Sequence, residues 1–303
     1  MRRTSVTLHV RRARPEDQPA VLEICAHTWE NGDYIPLVWE QWLADEAGPL
    51  FVGVLDDRVV ALEKVTWTSP SEVWLEGMRV HPDYRRAGIA TALFRYSLQW
   101  AAARGARIAR LATSSENLAV HRMASAASFR LVLRQRFYQA DAASGDKPSV
   151  VSGAEAGGLW QRVQRWQGLR KSQGLYHWDW AWQRLTRERF LGHVEQGEVW
   201  SWKKGPSVGM AILKRVQEPE TGILVGYWDG TPTALPSLLR ALRSLASDVT
   251  PPRVGLFAPE EPSWERLLQE AGYGPGWWEE TLWIFEGALQ PLEATPSPTH
   301  FPA

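Results

Sequence analysis

The stretch Leu75 to Ala90 limits what this chain can fold into more than any other. Val73, Leu75, Met78 and Val80 are apolar, and their alternation slips at Glu76-Gly77. A slip around a glycine is how a bulged strand looks in sequence. Pro82 and Asp83 end the strand, and Arg85 to Ala90 is a short loop containing Gly88. From Ile89 the period becomes helical, with Ile89, Leu93, Tyr96 and Trp100 on one face and Gly105 as the stop. Strand, tight loop and helix therefore follow in that order. A loop at a helix N-terminus offers unpaired N–H groups and a partial positive charge, which suit a phosphate. Gly88 allows close approach, Ala90 is nearly as small, and Arg85 and Arg86 supply donors. No Gly-Lys-Ser/Thr follows, and only one glycine of the dinucleotide fingerprint is present, so neither of those phosphate loops applies.

Val80-His81-Pro82-Asp83-Tyr84-Arg85-Arg86-Ala87-Gly88-Ile89-Ala90 resembles the acetyl-CoA motif of the GCN5-related N-acetyltransferases (GNATs), V-x-P-x-Y-R-x-x-G-I-G/A. The resemblance implies that backbone N–H groups of Arg85, Arg86, Ala87, Gly88, Ile89 and Ala90 hold the pyrophosphate of acetyl-CoA. It also implies that the strand backbone at Met78, Arg79 and Val80 bonds the thioester carbonyl, and that Asn117 bonds the pantetheine arm. Many members supply a proton from a Tyr seven residues after that Asn. Here the position is Ala124, and the usual Gly-Phe closing the helix is Ser128-Phe129. His121, on the same helix, reads as a surface residue, and His81 as a solvated turn residue.

A length of 303 residues predicts two domains of ordinary size. The formal net charge is zero, so nothing in the composition points to nucleic acid or an anionic membrane. Cys25 is the single cysteine and sits on an apolar helix face, which predicts a core residue in a reducing, cytoplasmic setting rather than a nucleophile. No apolar run approaches membrane-spanning length and no export signal is visible. Nothing in the sequence calls for a metal.

The pattern predicts a strand at Val6–Arg11, helices at Pro15–Trp29 and Ile35–Glu46, and a hairpin of Leu50–Leu55 with Val59–Trp67. The organising strand and helix come next, then a strand at Arg107–Ala112, a helix at Asn117–Ala127 and a strand at Leu131–Gln139. This is the order of a mixed α/β acetyltransferase domain over residues 1–140. Residues 141–158 read as a linker. Residues 159–288, which hold most of the eighteen tryptophans, repeat the order of elements as a degenerate GNAT-like domain, giving tandem acyltransferase folds. Where the phosphate loop should recur, the chain has Trp228-Asp229-Gly230-Thr231-Pro232-Thr233, with Asp229 where an anion would have to go. Residues 289–303 are a proline-rich tail. A tandem monomer accounts for this order, and the oligomeric state stays open.

Two carboxylates within predicted strands, Glu76 and Glu63, are the candidate bases, because a strand carboxylate facing a pocket can accept a proton from an amine. The segments Asp33-Tyr34-Ile35-Pro36, Leu62-Glu63-Lys64-Val65 and Glu76-Gly77-Met78-Arg79-Val80, with Trp29, Glu30 and Asn31 upstream, are similar to the histidine N-acetyltransferases. That similarity implies a small-molecule amine substrate, such as a free amino acid, with Asp33, Tyr34 and Trp39 at its pocket. A protein-lysine or aminoglycoside acetyltransferase, and a non-catalytic acetyl-CoA sensor suggested by the missing Tyr, are the other readings.

Overall fold

The structure, a computed structural model, describes residues 8–28 and 32–291. By contacts the chain divides into two units. Met1–Leu111, Ala119–Arg130 and Phe285–Ala303 form the first; Ala112–Leu118 and Leu131–Ile284 form the second.

The elements in chain order are β1 (His9–Arg12), α1 (Gln18–Ala26), α2 (Ile35–Ala44), β2 (Leu50–Leu55), β3 (Arg58–Ser69), β4 (Glu72–Val80), α3 (Ile89–Ala102), β5 (Ile108–Ser114), α4 (Leu118–Ala126) and β6 (Arg130–Asp141). They continue with β7 (Ser149–Val150), α5 (Gly153–Val163), α6 (Gln167–Lys171), β8 (Leu175–Trp178), β9 (Ala181–Arg184), α7 (Arg187–Glu195), β10 (Val199–Lys204) and β11 (Ser207–Glu218). The last are β12 (Thr221–Gly230), α8 (Leu235–Leu245), β13 (Arg253–Pro259), α9 (Pro262–Glu270), β14 (Gly274–Pro275) and β15 (Leu282–Ala288). Strand β1 begins at His9, and the predicted start at Val6 lies outside the described residues, as do Trp29, Glu30, Asn31 and residues 292–303 of the tail.

In the first unit the strand order is β1-β2-β3-β4-β5-β15, antiparallel from β1 to β4 and parallel between β4 and β5. Apolar spacing explains the helices that cover it. Ile89, Leu93, Phe94 and Trp100 of α3 are buried, and Val21, Ile24 and Cys25 of α1 pack with Ile35, Trp39, Trp42 and Leu62. The second unit repeats the theme. Its order is β6-β13-β12-β11-β10-β7, antiparallel from β10 to β12 and parallel between β12 and β13, with α8 as the crossover. Leu235, Leu238, Leu239, Leu242 and Leu245 of α8, spaced three and four apart, form the stripe that its core buries.

Three sequence expectations change here. Strand β6 falls in the second unit, where it pairs with β13 and β14, and Phe285 onward returns to the first unit. The expected linker at 141–158 contains β7 and the start of α5. Ser152 and Glu155 close a capping box there, and Ala156, Leu159, Trp160 and Val163 bury their side chains, which outweighs about 1 kcal/mol lost per helical glycine. The pattern also does not announce α6, α7 and the β8–β9 hairpin, each only four to nine residues long.

Candidate active site

Strand β4 is held at its start and bent further on. Buried Arg110 donates to both oxygens of Glu72, at 3.0 and 3.2 Å, and to Glu286 at 2.8 Å. The parallel register with β5 covers Glu72, Val73 and Trp74, facing Ile108, Ala109 and Arg110. Beyond Trp74, β4 runs on along β3, and the register slips so that Gly77 and Met78 together oppose Glu63. This is the bulge that the sequence announces. Gly77 has φ +67°, and a Cβ there would lie 2.7 Å from the Trp42 ring, so only glycine lets the strand bend against α2.

After Val80, a single 3-10 turn over Pro82–Tyr84 leads to the loop, and Asp83 N donates to His81 Nδ1 at 3.3 Å. His81 is buried, not solvated as its turn position suggests. Gly88 caps α3 in the left-handed region at φ +78°, and a Cβ there would meet no atom within 4 Å. Arg86, Ala87 and Gly88 are exposed. Among the described residues, the backbone N–H groups of Arg86, Ala87, Gly88, Ile89 and Ala90 have no acceptor in the chain. The first helical bond of α3 runs from Ala92 N to Gly88 O at 3.0 Å. This is an open cradle of donors at the positive end of a fourteen-residue helix, and its chemistry fits a phosphate. Arg85 is the exception. Its N–H bonds Pro82 O at 3.2 Å, and its guanidinium reaches back to Val80 O and His27 O, so it braces the loop and the cradle starts at Arg86.

Glu76 is half-buried on β4, just before the bulge, and accepts a 2.6 Å hydrogen bond from Thr66 Oγ1. Thr66 in turn accepts from Lys64 Nζ at 3.3 Å. Lys64 is 1% exposed and donates to Asp45 at 2.7 Å and to the Gly48 and Val65 carbonyls. Burial holds the ammonium below its ordinary pKa, and the Asp45 carboxylate partly restores it. The chain Asp45–Lys64–Thr66–Glu76 thus fixes the carboxylate from behind. The sequence reading misses this support. Its signal is a Lys and a Thr two residues apart on one face of β3. Tyr34 lies near Glu76 and is 45% exposed; its ring meets the Arg79 guanidinium at 5.6 Å and the Trp42 ring edge-on at 5.8 Å. Desolvation and the Glu76 charge raise the Tyr34 phenol, an effect that its exposure to solvent moderates.

Three other expected site residues serve the core instead. Glu63 is 2% exposed and sealed against α3, where Ser97 Oγ donates to it at 2.5 Å; burial pushes its carboxyl up to about 8. Both oxygens of Asp33 are taken: Arg79 donates to them at 2.8 and 3.2 Å, and Ile35 N bonds Oδ1 at 3.1 Å, which caps α2. Trp39 is 1% exposed and packs in the α1–α2 core. Glu63 and Trp39 point inward from β3 and α2, and Asp33, in the turn before α2, is spent on Arg79 and Ile35 N. Cys25 is buried and its thiol is pushed up to about 12, chiefly by desolvation, as a core cysteine should be. Ala124, where the GNAT proton donor would stand, is 0% exposed. His121 packs on Phe285 at 5.4 Å. Asn117 is exposed in the turn before α4, its N–H bonded to Ser114 O, and belongs to the second unit. Among the described residues, no group of His, Cys, Asp and Glu is placed to hold a metal, and no helix is long and apolar enough to cross a membrane.

With this geometry in view, residues 16–129 match the model of the Acetyltransferase (GNAT) family. The whole chain is similar in fold to a GCN5-related N-acetyltransferase from Sphaerobacter thermophilus. That match has TM-score 0.63 and 15% identity, over 96% of this chain and 98% of that one. It is similar also to a tandem GNAT protein from the clavulanic acid biosynthesis pathway, with TM-score 0.55 and 13% identity, over 95% and 99% of the two chains. A GCN5-related N-acetyltransferase from Kribbella flavida matches with TM-score 0.52 and 13% identity, over 94% and 72%. The fold is therefore a tandem GNAT arrangement. No curated protein matches the sequence.

Proposed function

We propose that the first unit is an acetyl-CoA-dependent N-acetyltransferase acting on the primary amine of a small molecule, with a free amino acid such as histidine as the acceptor class. The observation that carries this reading is the row of unpartnered N–H groups from Arg86 to Ala90 at the head of α3, preceded by a bulged strand bearing Glu76. The cradle binds the coenzyme's pyrophosphate, and exposed Arg86 adds a charge-assisted donor. Backbone groups at Met78, Arg79 and Val80 orient the thioester. When bound, acetyl-CoA supplies the activated acyl group, and the amine attacks it directly.

An α-amine is mostly protonated at neutral pH, with a reference pKa near ~8, so a base must take its proton. Glu76 does this, directly or through water, held by Thr66. Cys25, buried and with a raised pKa, is no nucleophile, which agrees with direct attack. Tyr34, beside Glu76 and partly open to solvent, forms a wall of the amine site. The histidine-like reading rests on local sequence similarity around Asp33-Tyr34 and Glu76-Gly77. The test is thiol release from acetyl-CoA with a panel of free amino acids, aminoglycosides and lysine peptides. Turnover with a free amino acid supports the reading. Turnover confined to peptides or aminoglycosides moves the acceptor class, and binding without turnover on any amine makes the unit a sensor.

A further inference from the structure

Glu76 is held by a hydroxyl whose direction another residue dictates. Lys64 and Thr66 lie two residues apart on one face of β3, and Lys64 stands across from Glu76 on β4. Lys64 Nζ reaches three close acceptors: Asp45 Oδ2 at 2.7 Å, Gly48 O at 2.8 Å and Val65 O at 2.9 Å. Three acceptors at those distances take three hydrogens, which only the ammonium form has. The space around the group is built to fit it. A Cβ on Gly48 would lie 2.9 Å from Nζ and 2.7 Å from Asp45 Oδ2, and would run into Val65 O. Asp45 is fixed in turn, because Ala47 N and Gly48 N donate to its other oxygen at 3.1 and 2.9 Å.

The fourth neighbour of Nζ is Thr66 Oγ1, at 3.3 Å. An ammonium has no lone pair, so Thr66 can only accept from it, and the hydroxyl hydrogen has to point elsewhere. It points to Glu76 Oε1, 2.6 Å away, the length of a hydroxyl bonded to an ionised carboxylate. Such a bond favours the charged form of the acid. Bonds that run one way, from Nζ to Oγ1 to Oε1, also polarise one another. The charges around this corner do not supply the effect by themselves. Asp45 offsets Lys64, and Asp33 pairs with Arg79 at 2.8 Å. Tyr34, on the α2 side, is a neutral phenol at ordinary pH, raised by desolvation and by the Glu76 charge. Arg12 of β1 also acts on Lys64, opposing the pull of Asp45. With these groups offsetting one another, the oriented hydroxyl is what holds Glu76 ionised.

We propose that Thr66, its hydroxyl oriented by Lys64, is a positioning residue that keeps Glu76 ionised and ready to take the amine's proton, an inference that rests on Glu76 being the base. The experiment uses the full chain, isotope-labelled at its glutamate carboxyl carbons, and follows Glu76 by NMR through an acid titration. The loss of one signal in Glu76→Gln assigns it. Thr66→Val keeps the shape and a good strand residue but removes the hydroxyl. Its Glu76 midpoint should rise by about one pH unit, a tenfold gain in proton affinity. Thr66→Ser, which keeps the hydroxyl, should return the midpoint to that of the unmodified chain. Lys64→Met combined with Asp45→Asn lets the hydroxyl turn, and should move the midpoint the same way by less. The titration reads the carboxylate without catalysis, so it separates two failures. A midpoint unmoved in Thr66→Val or in the double variant, or not restored by Thr66→Ser, overturns the inference whatever the turnover. A midpoint that moves while Glu76→Gln still turns over amines normally leaves the hydroxyl's hold on Glu76 standing and removes Glu76 as the base.

Discussion

In the first unit, β4 passes a Gly77 bulge and enters α3 through Arg85–Gly88; in the second, β12 passes a bulge at Gly226 and enters α8 through Thr231–Ala234. The topology is shared, yet the fate of the N–H groups differs. Those from Arg86 to Ala90 have no acceptor among the described residues. In the second unit, Gly230 N and Leu169 N donate to the buried Asp229 carboxylate at 2.8 and 3.1 Å, and Tyr227 adds its hydroxyl at 2.8 Å. Thr231 N bonds Val208 O, Ala234 N and Leu235 N bond Thr231 O, and Pro232 and Pro236 have no N–H to offer. The chain has placed its own anion where an external one would bind. An anion site needs unspent donors as well as the right turn.

The bulges differ in the same way. At Gly77 the space beside the strand is taken by Trp42, and Glu76 next to it is held by Thr66. At Gly226 a Cβ would lie 2.2 Å from the His177 carbonyl oxygen, so the β8–β9 hairpin sits against the strand where the first unit keeps a carboxylate. The neighbour of Gly226 that corresponds to Glu76 is Val225, which cannot take a proton.

The largest expected effect tests that last difference. Glu76→Gln keeps shape and removes basicity, so turnover should fall roughly 10²–10⁴-fold with acetyl-CoA affinity nearly intact. The acidic limb of the pH profile should also disappear. Near-normal turnover at neutral pH with a good acceptor would put the base elsewhere.

Glu63 sharpens the contrast between a buried carboxyl and the apolar Ile212–Leu213 step that faces the second bulge. Its folded pKa, about 8, stands above the reference 4.5. The native state therefore keeps a proton that the unfolded chain has already lost. Stability should be greatest below the lower value and fall as pH rises to the upper one, by on the order of a few kcal/mol. Glu63→Gln should flatten that slope in chemical denaturation followed at several pH values. A slope unchanged in the variant would assign it to other groups.

Asp229→Ala leaves Leu169 N–H, Gly230 N–H and the Tyr227 hydroxyl without their acceptor. Thermal and denaturant unfolding should show a loss of about 2–4 kcal/mol, while acetyl-CoA still binds once per chain. A second equivalent of acetyl-CoA on the unmodified protein would break the comparison outright.

The smallest effect concerns the loop itself. Gly88→Val puts a branched side chain at φ +78° and into the cradle, so calorimetric affinity for acetyl-CoA should drop at least about tenfold, on the order of 1.4 kcal/mol. Unchanged affinity in a folded variant would move the coenzyme away from this loop.

Much of this was legible in the chain's own order. The strand–loop–helix at Leu75–Trp100, the bulge at Gly77 and the anion-excluding Asp229 follow from local rules: alternation, helical period, and the turn freedom of glycine. The tandem architecture follows from the repeated order of elements. Local rules do not say which way a polar side chain on a strand faces once a second layer packs on it. Glu63 and Glu76 look alike in sequence, yet Glu76 pairs across from Lys64 and lies half-open beside Thr66, while Glu63, one residue before Lys64, points to the other face of β3 under α3. Asp33 bonds Arg79, and Trp39 fills the α1–α2 core. The exchange of β6 and the last strand between the units depends on pairing between residues far apart in the chain. Long-range pairing is set by total burial and hydrogen-bond satisfaction, which no short window of sequence contains.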